Sequence, residues 1–157
     1  MKKFIEQANG QSNFKNKIVC SGALFYSKST NKILLLQKSR GKHQGTWGLV
    51  GGTNELTETP WEGLQREIKE EIGVIPNIIK TIPLETFVSN DNVFYFHTYL
   101  CVIENEFIPA LSEEHSGYAW STIDHAPKPL HQGLKNSFTN RIIRTKLQTI
   151  FDVITLV

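Results

Sequence analysis

The segment GGTNELTETPWEGLQREIKEEIG, Gly51 to Gly73, constrains this chain more than any other stretch. Glu55, Glu58, Glu62, Glu67, Glu70 and Glu71 crowd into it behind a Gly-Gly pair. Thr59 suits an N-cap, Pro60 suits the first helical position, and Glu62 completes a capping box three residues after the cap. Trp61, Leu64, Ile68 and Ile72 recur at spacings of three and four, which makes one apolar stripe. Gly73 stands where a glycine ends a helix. The pattern predicts a helix over Pro60–Ile72.

On that helix Glu67, Glu70 and Glu71 lie at i, i+3 and i+4 and share a face. Like-charged neighbours on a solvated helix cost only about 0.2–0.5 kcal/mol per pair, so EIKEE alone reads as a solvated face. Its surroundings point elsewhere. At roughly 100° per residue the acidic face lies beside the apolar stripe rather than opposite it. The carboxylates therefore belong at the rim of the core, near the glycine pair. Hard divalent cations such as Mg²⁺ are held by a few carboxylates plus substrate phosphates, and a site of that kind fits here.

The rest of the chain sets the frame. Its 157 residues suffice for one domain with a real core, and 39% apolar with 20% charged residues suits a globular protein. A net charge of +2 gives no electrostatic case for nucleic acid or a membrane as main partner. MKKFIEQANG lacks the apolar region of a secretory signal, and no apolar run approaches the ~18 residues of a membrane span. Cys20 and Cys101 each sit in an apolar strand-like run and read as buried thiols, not as a disulfide or a zinc site. The expectation is a cytoplasmic domain, monomeric or homodimeric.

Residues 1–16 are polar and aperiodic, a possible N-terminal extension to a single domain over 1–157. IVCSGALFY (18–26) and KILLLQ (32–37), joined by SKSTN, predict a β-hairpin. SRGKHQGTWG is a polar loop, and Trp47–Val50 reads as a short strand ending in Gly51-Gly52. Strands are expected over 78–88, 93–103 and 117–122. One last helix is expected from about Leu134 to Ile154, with Leu134, Phe138, Ile142, Leu147, Ile150 and Phe151 mainly on one face. Two amphipathic helices and mixed strands imply a sheet covered on both sides.

Gly52, Glu58, Arg66, Glu67, Ile68, Glu70, Glu71, Gly73 and Val74 match, without a gap, the Nudix box G-x5-E-x7-R-E-U-x-E-E-x-G-U, where U is aliphatic. With about 7% usage at each fixed position, chance agreement is on the order of 10⁻⁸ per window. The chain thus resembles the Nudix hydrolase family over roughly residues 17–125, counting KILLLQKSR and TWGLVGG before the box. One departure is Val50, where the family commonly has proline before the two glycines; none of the matched acids is affected. The resemblance implies an α/β/α sandwich, with a mixed sheet between the box helix and a C-terminal helix. It also implies hydrolysis of a nucleoside diphosphate linked to another moiety, with Mg²⁺ or Mn²⁺.

Carried over residue by residue, the resemblance makes Glu67, Glu70 and Glu71 metal ligands, with the Gly52 carbonyl a further one and Glu67 also a candidate base. Arg66 and Glu58 are expected to pair and to orient the site. Glu113 and Glu114, in a later loop, are weaker candidates for the base. His115 reads as a polar contact rather than a ligand, since hard Mg²⁺ prefers oxygen. Lys38, Arg40, Lys42 and His43 stand either as phosphate contacts or as solvated loop charges. Trp47, Phe87, Phe94, Tyr95, Phe96 and Tyr99 offer base-stacking surfaces or core. Ser89 occupies the place of a proline that marks some subfamilies, and Tyr95 loosely matches a marker tyrosine, so the substrate stays open among ADP-ribose, dinucleoside polyphosphates, FAD, NADH, nucleotide sugars and (d)NTPs. Two other readings compete: a nucleotide-binding sensor without catalysis, and a different reaction on a diphosphate such as isoprenoid isomerisation.

Overall fold

The computed structural model describes residues 16–156; the expected N-terminal extension lies outside the described residues up to residue 15. Seven strands form one mixed sheet: β1 Ile18–Ser27, β2 Lys32–Lys38, β3 Trp47–Gly48, β4 Val50–Thr53, β5 Lys80–Val88, β6 Phe94–Ile103 and β7 His115–Ser121. Among the described residues three helices complete it: α1 Pro60–Ile72, α2 Gln132–Thr139 and α3 Arg141–Leu156.

The central strand explains the layering. β1 runs parallel to β6 along its full length and antiparallel to β2 and β4. Nearly every residue of β1 is buried, as expected of a strand covered on both faces. Its side chains alternate between two cores. Ala23 and Phe25 join Leu34, Leu36, Val50, Cys101 and the α1 residues Leu64, Ile68 and Ile72. Leu24 and Tyr26 join Ile33, Leu35, Leu100, Val102, Leu134, Phe138 and Leu147 beneath α2 and α3. The Tyr26 ring stacks on Phe151 of α3 at 4.2 Å. This is the α/β/α sandwich expected from the sequence. Both cysteines are buried and free, and among the described residues no helix is long and apolar enough to cross a membrane.

Helix α1 begins and ends as the sequence predicts. The Thr59 hydroxyl accepts from Glu62 N–H, the Glu62 carboxylate accepts from Thr59 N–H, and Gly73 closes the helix at φ 78°. Burying Leu64, Ile68 and Ile72 contributes about 1.5–3 kcal/mol each, several times the like-charge repulsion along EIKEE. The apolar stripe therefore decides how α1 is rotated, and the carboxylates go where that rotation carries them.

Three expectations change. The C-terminal helix is two helices, because Asn140 is extended at φ −73° and ψ 120° and its side chain caps α3 through Ile142 N–H and Ile143 N–H. The β1–β2 hairpin pairs only at its tip, Tyr26 with Ile33 and Ser27 with Lys32; β2 then pairs with β7, and β1 with β4 and β6. Gly51 and Gly52 lie inside strand β4 rather than after it, since Leu49 interrupts the short strand and pairing resumes at Val50.

Candidate active site

The glycine pair is dictated by crowding. A Cβ on Gly51 would stand 2.1 Å from the Ser21 carbonyl oxygen, and one on Gly52 would stand 2.6 Å from the Glu67 carboxyl carbon. Strand β4 thus runs against the acidic face of α1 with nothing but backbone between them.

Arg66 organises one half of that face. Its guanidinium grips Glu58 through two bonds, Nε to Oε2 at 2.8 Å and Nη2 to Oε1 at 2.9 Å. Nη2 also donates to the Thr53 carbonyl at 3.0 Å, and Nη1 reaches Glu67 at 3.1 Å and Glu70 at 3.3 Å. The fork matches a carboxylate in shape, so it fixes position as well as charge. Hydrogen bonding to Arg66 holds the Glu58 carboxyl below its ordinary range, and the surrounding carboxylates raise the arginine's own pKa further.

Glu71 occupies the other half and has no such partner. It is 2% exposed. Gly51 N–H donates to its Oε1 at 3.2 Å, while Oε2 is buried without a hydrogen bond. Burial first, then the negative charge of Glu67, pushes its pKa up to about 8, with Gly51 N–H and Lys38 opposing. Glu67 is also raised, mainly by burial, against the pull of Arg66. His115 stands beside Glu71, its Nδ1 3.4 Å from Oε2.

The later loop brings its two acids to different places. Glu113 faces outward to Arg40 at 3.9 Å with a side chain 93% exposed. Glu114 acts electrostatically on Glu67, Glu71 and His115. Ser39 straps the two loops together: its N–H donates to the Glu114 carbonyl at 2.9 Å and its hydroxyl to the Glu113 carbonyl. Between them opens a cleft of about 260 Å³ lined by Arg40, Glu70, Glu71, Ser112, Glu113 and Glu114.

Of the basic candidates, only Arg40 lines this cleft. Lys38 is half-buried and its charge is felt by Glu71, His115 and His131. Lys42 and His43 are exposed, and the His43 ring meets His131 at 4.5 Å. Trp47 packs against the second core, with its N–H donating to the Pro129 carbonyl. Tyr95 is buried, Tyr99 packs on Trp61, and Phe87, Phe94 and Phe96 form an open ladder at 6.2 and 6.5 Å. His131 and the Thr53 carbonyl were not candidates in the sequence, because their roles arise from contacts between distant segments.

Comparison with known proteins decides the family, since the NUDIX domain pattern matches residues 18–141. The chain belongs to the Nudix family. It is 33% identical over 112 residues to the dihydroneopterin triphosphate diphosphatase of Haemophilus influenzae, covering 62% of this chain and 69% of that protein. It is 46% identical over 48 residues to the ADP-ribose pyrophosphatase of Methanocaldococcus jannaschii, covering 31% of this chain but only 28% of that one. The NUDIX domain of Shewanella oneidensis NrtR, solved in complex with ADP ribose, shares the fold at TM-score 0.67 and 20% identity over 96% of this chain and 99% of that one. With that domain match and pyrophosphatases among its relatives, the chain is a Nudix hydrolase.

Nudix hydrolases generally use divalent metals. The residues here suit a hard cation in donor type: carboxylate oxygens from Glu67, Glu70 and Glu71, the Gly52 backbone beside Glu67, and a buried Glu71 Oε2 with no hydrogen bond. Among the described residues, no three acidic, histidine or cysteine side chains already converge on one point. Arg66 holds Glu67 and Glu70 on its own side.

Proposed function

We propose that this Nudix hydrolase cleaves the diphosphate linkage of a nucleoside diphosphate joined to another moiety, using Mg²⁺ or Mn²⁺ held by Glu67, Glu70, Glu71 and the Gly52 carbonyl. The observation that carries this reading is Glu71 buried beside Glu67 with its Oε2 unpaired, two acidic groups packed together whose mutual repulsion Lys38 and the Gly51 N–H only partly offset. A divalent ion supplies the opposing charge, screens the substrate's phosphates and makes water a better nucleophile. Arg66 and Glu58 keep the helix and strand β4 in register so that the Gly52 backbone and the Glu67 carboxylate stay side by side. Either Glu67 or Glu114 takes the proton from the attacking water. Arg40, in the lining of the cleft, and Lys38, whose charge reaches Glu71, contact the substrate phosphates.

The named relatives narrow the first substrates to try: dihydroneopterin triphosphate and ADP-ribose. These join dinucleoside polyphosphates, FAD, NADH, nucleotide sugars and (d)NTPs in one panel with Mg²⁺ and with Mn²⁺. Product analysis by chromatography is expected to show a nucleoside monophosphate, or the corresponding pterin monophosphate, from at least one of them. Turnover of none by well-folded protein, or isomerisation of an isoprenoid diphosphate without phosphate release, would overturn the reading.

A further inference from the structure

We propose that His115 is a positioning residue for Glu71, its Nδ1–H directed at Oε2 so that the carboxylate is held in one orientation toward the metal. The inference rests on Glu71 being a ligand, as proposed above. Two observations support it. Both side chains are 3% exposed, and Nδ1 stands 3.4 Å from Oε2. Each of those atoms is also buried with no other hydrogen-bond partner. A buried donor or acceptor left unpaired is costly, and here each atom is the obvious partner of the other. At 3.4 Å the two atoms stand just beyond the ordinary N–H···O range of about 2.7–3.2 Å, and the proposal is that the bond closes when the carboxylate takes its metal-binding orientation.

The backbone makes the imidazole a firm post. His115 opens β7, its N–H donates to the Ser112 carbonyl at 3.2 Å, and it pairs with Lys38 at the β2–β7 bulge. Glu71 arrives from α1 and is already held at its other oxygen by Gly51 N–H. With His115 on Oε2, the carboxylate is fixed from strand β4 on one side and from β7 on the other. Hydrogen-bond partners of a metal's ligands orient those ligands, and their loss typically weakens metal binding 10–100-fold.

The test is Mn²⁺ binding to metal-free protein without nucleotide, followed by electron paramagnetic resonance of the free ion, for the natural protein, E71Q, H115F and H115N. Asparagine places an amide N–H near the Nδ1 position; phenylalanine fills the space without a donor. The expected result is a Kd raised about 10–100-fold in H115F and largely restored in H115N. The Mg²⁺ activation constant is expected to rise in H115F while kcat at saturating metal recovers. Thermal melting separates this from simple unfolding, and if H115F does not fold, H115A carries the same expectation. An unchanged Kd in H115F beside a weakened E71Q sinks the role of His115 alone. An unchanged Kd in E71Q as well sinks the ligand assignment of Glu71. Nitrogen modulation from an imidazole bound to Mn²⁺ in the natural protein makes His115 a ligand, which also overturns the proposal.

Discussion

The two halves of the acidic face on α1 handle the same charge in opposite ways. Around Arg66, the carboxylates of Glu58, Glu67 and Glu70 meet a guanidinium within 3.3 Å. Around Glu71, the helix turns toward the core, and the carboxylate receives a single backbone N–H and a neutral imidazole neighbour. Burial pushes that imidazole's pKa down to about 4, so it brings no positive charge of its own near neutral pH. One half is a structural ion-pair network. The other is a buried carboxyl whose pKa is pushed up to about 8 because no cation pairs with it directly, and it is the place proposed above for a divalent ion.

Breaking the Glu71 half has the largest expected effect. Glu71→Gln should lower kcat on the order of 10³-fold, because metal stabilisation of the transition state amounts to several kcal/mol. Its melting temperature should hold or rise, since glutamine replaces a buried carboxyl whose ionisation burial already disfavours. An unchanged kcat in saturating Mg²⁺ would falsify the ligand assignment. Breaking the Arg66 half comes next. Lysine keeps the charge but cannot grip Glu58 with two bonds and reach the Thr53 carbonyl at the same time. Arg66→Lys should lower kcat roughly 10–100-fold and also cost about 1–3 kcal/mol of stability, read from urea midpoints. The signature that separates the halves is therefore a loss of stability in one and not in the other.

The loop acids sharpen the comparison. Glu114 is coupled to Glu67 and Glu71, whereas Glu113 is turned to solvent and Arg40. Glu114→Gln should reduce kcat about 10²-fold or more, the range of a lost general base. Glu113→Gln should leave it within about twofold, because an exposed ion pair contributes little. Equal effects in steady-state assays would show that the loop does not discriminate between them.

The remaining effect concerns stability alone. His97 is buried on β6, its Nδ1 3.0 Å from the Thr86 hydroxyl and its Nε2 without a partner. Burial pushes its pKa from 6.5 down to about 4. Between those values the unfolded chain binds a proton that the folded one refuses, so stability is complete above about pH 6.5 and falls as pH drops toward 4. His97→Asn should flatten that acid limb by roughly 3 kcal/mol at most, measured by urea unfolding at pH 7 and 4.5, with kcat at pH 8 unchanged.

Much of this was legible in the chain. Thr59, Pro60, Glu62 and Gly73 determined both ends of α1, because capping and φ preferences are local and need no tertiary partner. The spacing of Arg66, Glu67, Glu70 and Glu71 determined a shared face, since helical periodicity alone puts them there. The Arg66–Glu58 pairing followed from the family resemblance and is present in the fold. The break at Asn140 was less visible: its cap bonds compete with a helical pattern that runs through it on both sides.

What only the tertiary structure decided is how buried each acid is and what it faces. Glu70 and Glu71 are adjacent in sequence, yet one side chain is 58% exposed and the other 3%. That difference comes from packing α1 on the sheet, which rotates one side chain outward and the next toward His115. Likewise, nothing local separates Glu113 from Glu114; the fold turns one toward Arg40 and solvent and brings the charge of the other to bear on Glu67 and Glu71. The sequence by itself determined that a helix would present carboxylates beside two glycines. The tertiary structure decided which carboxylate loses its water, because desolvation depends on neighbours brought in from β4 and β7 and not on the residues alongside in the chain.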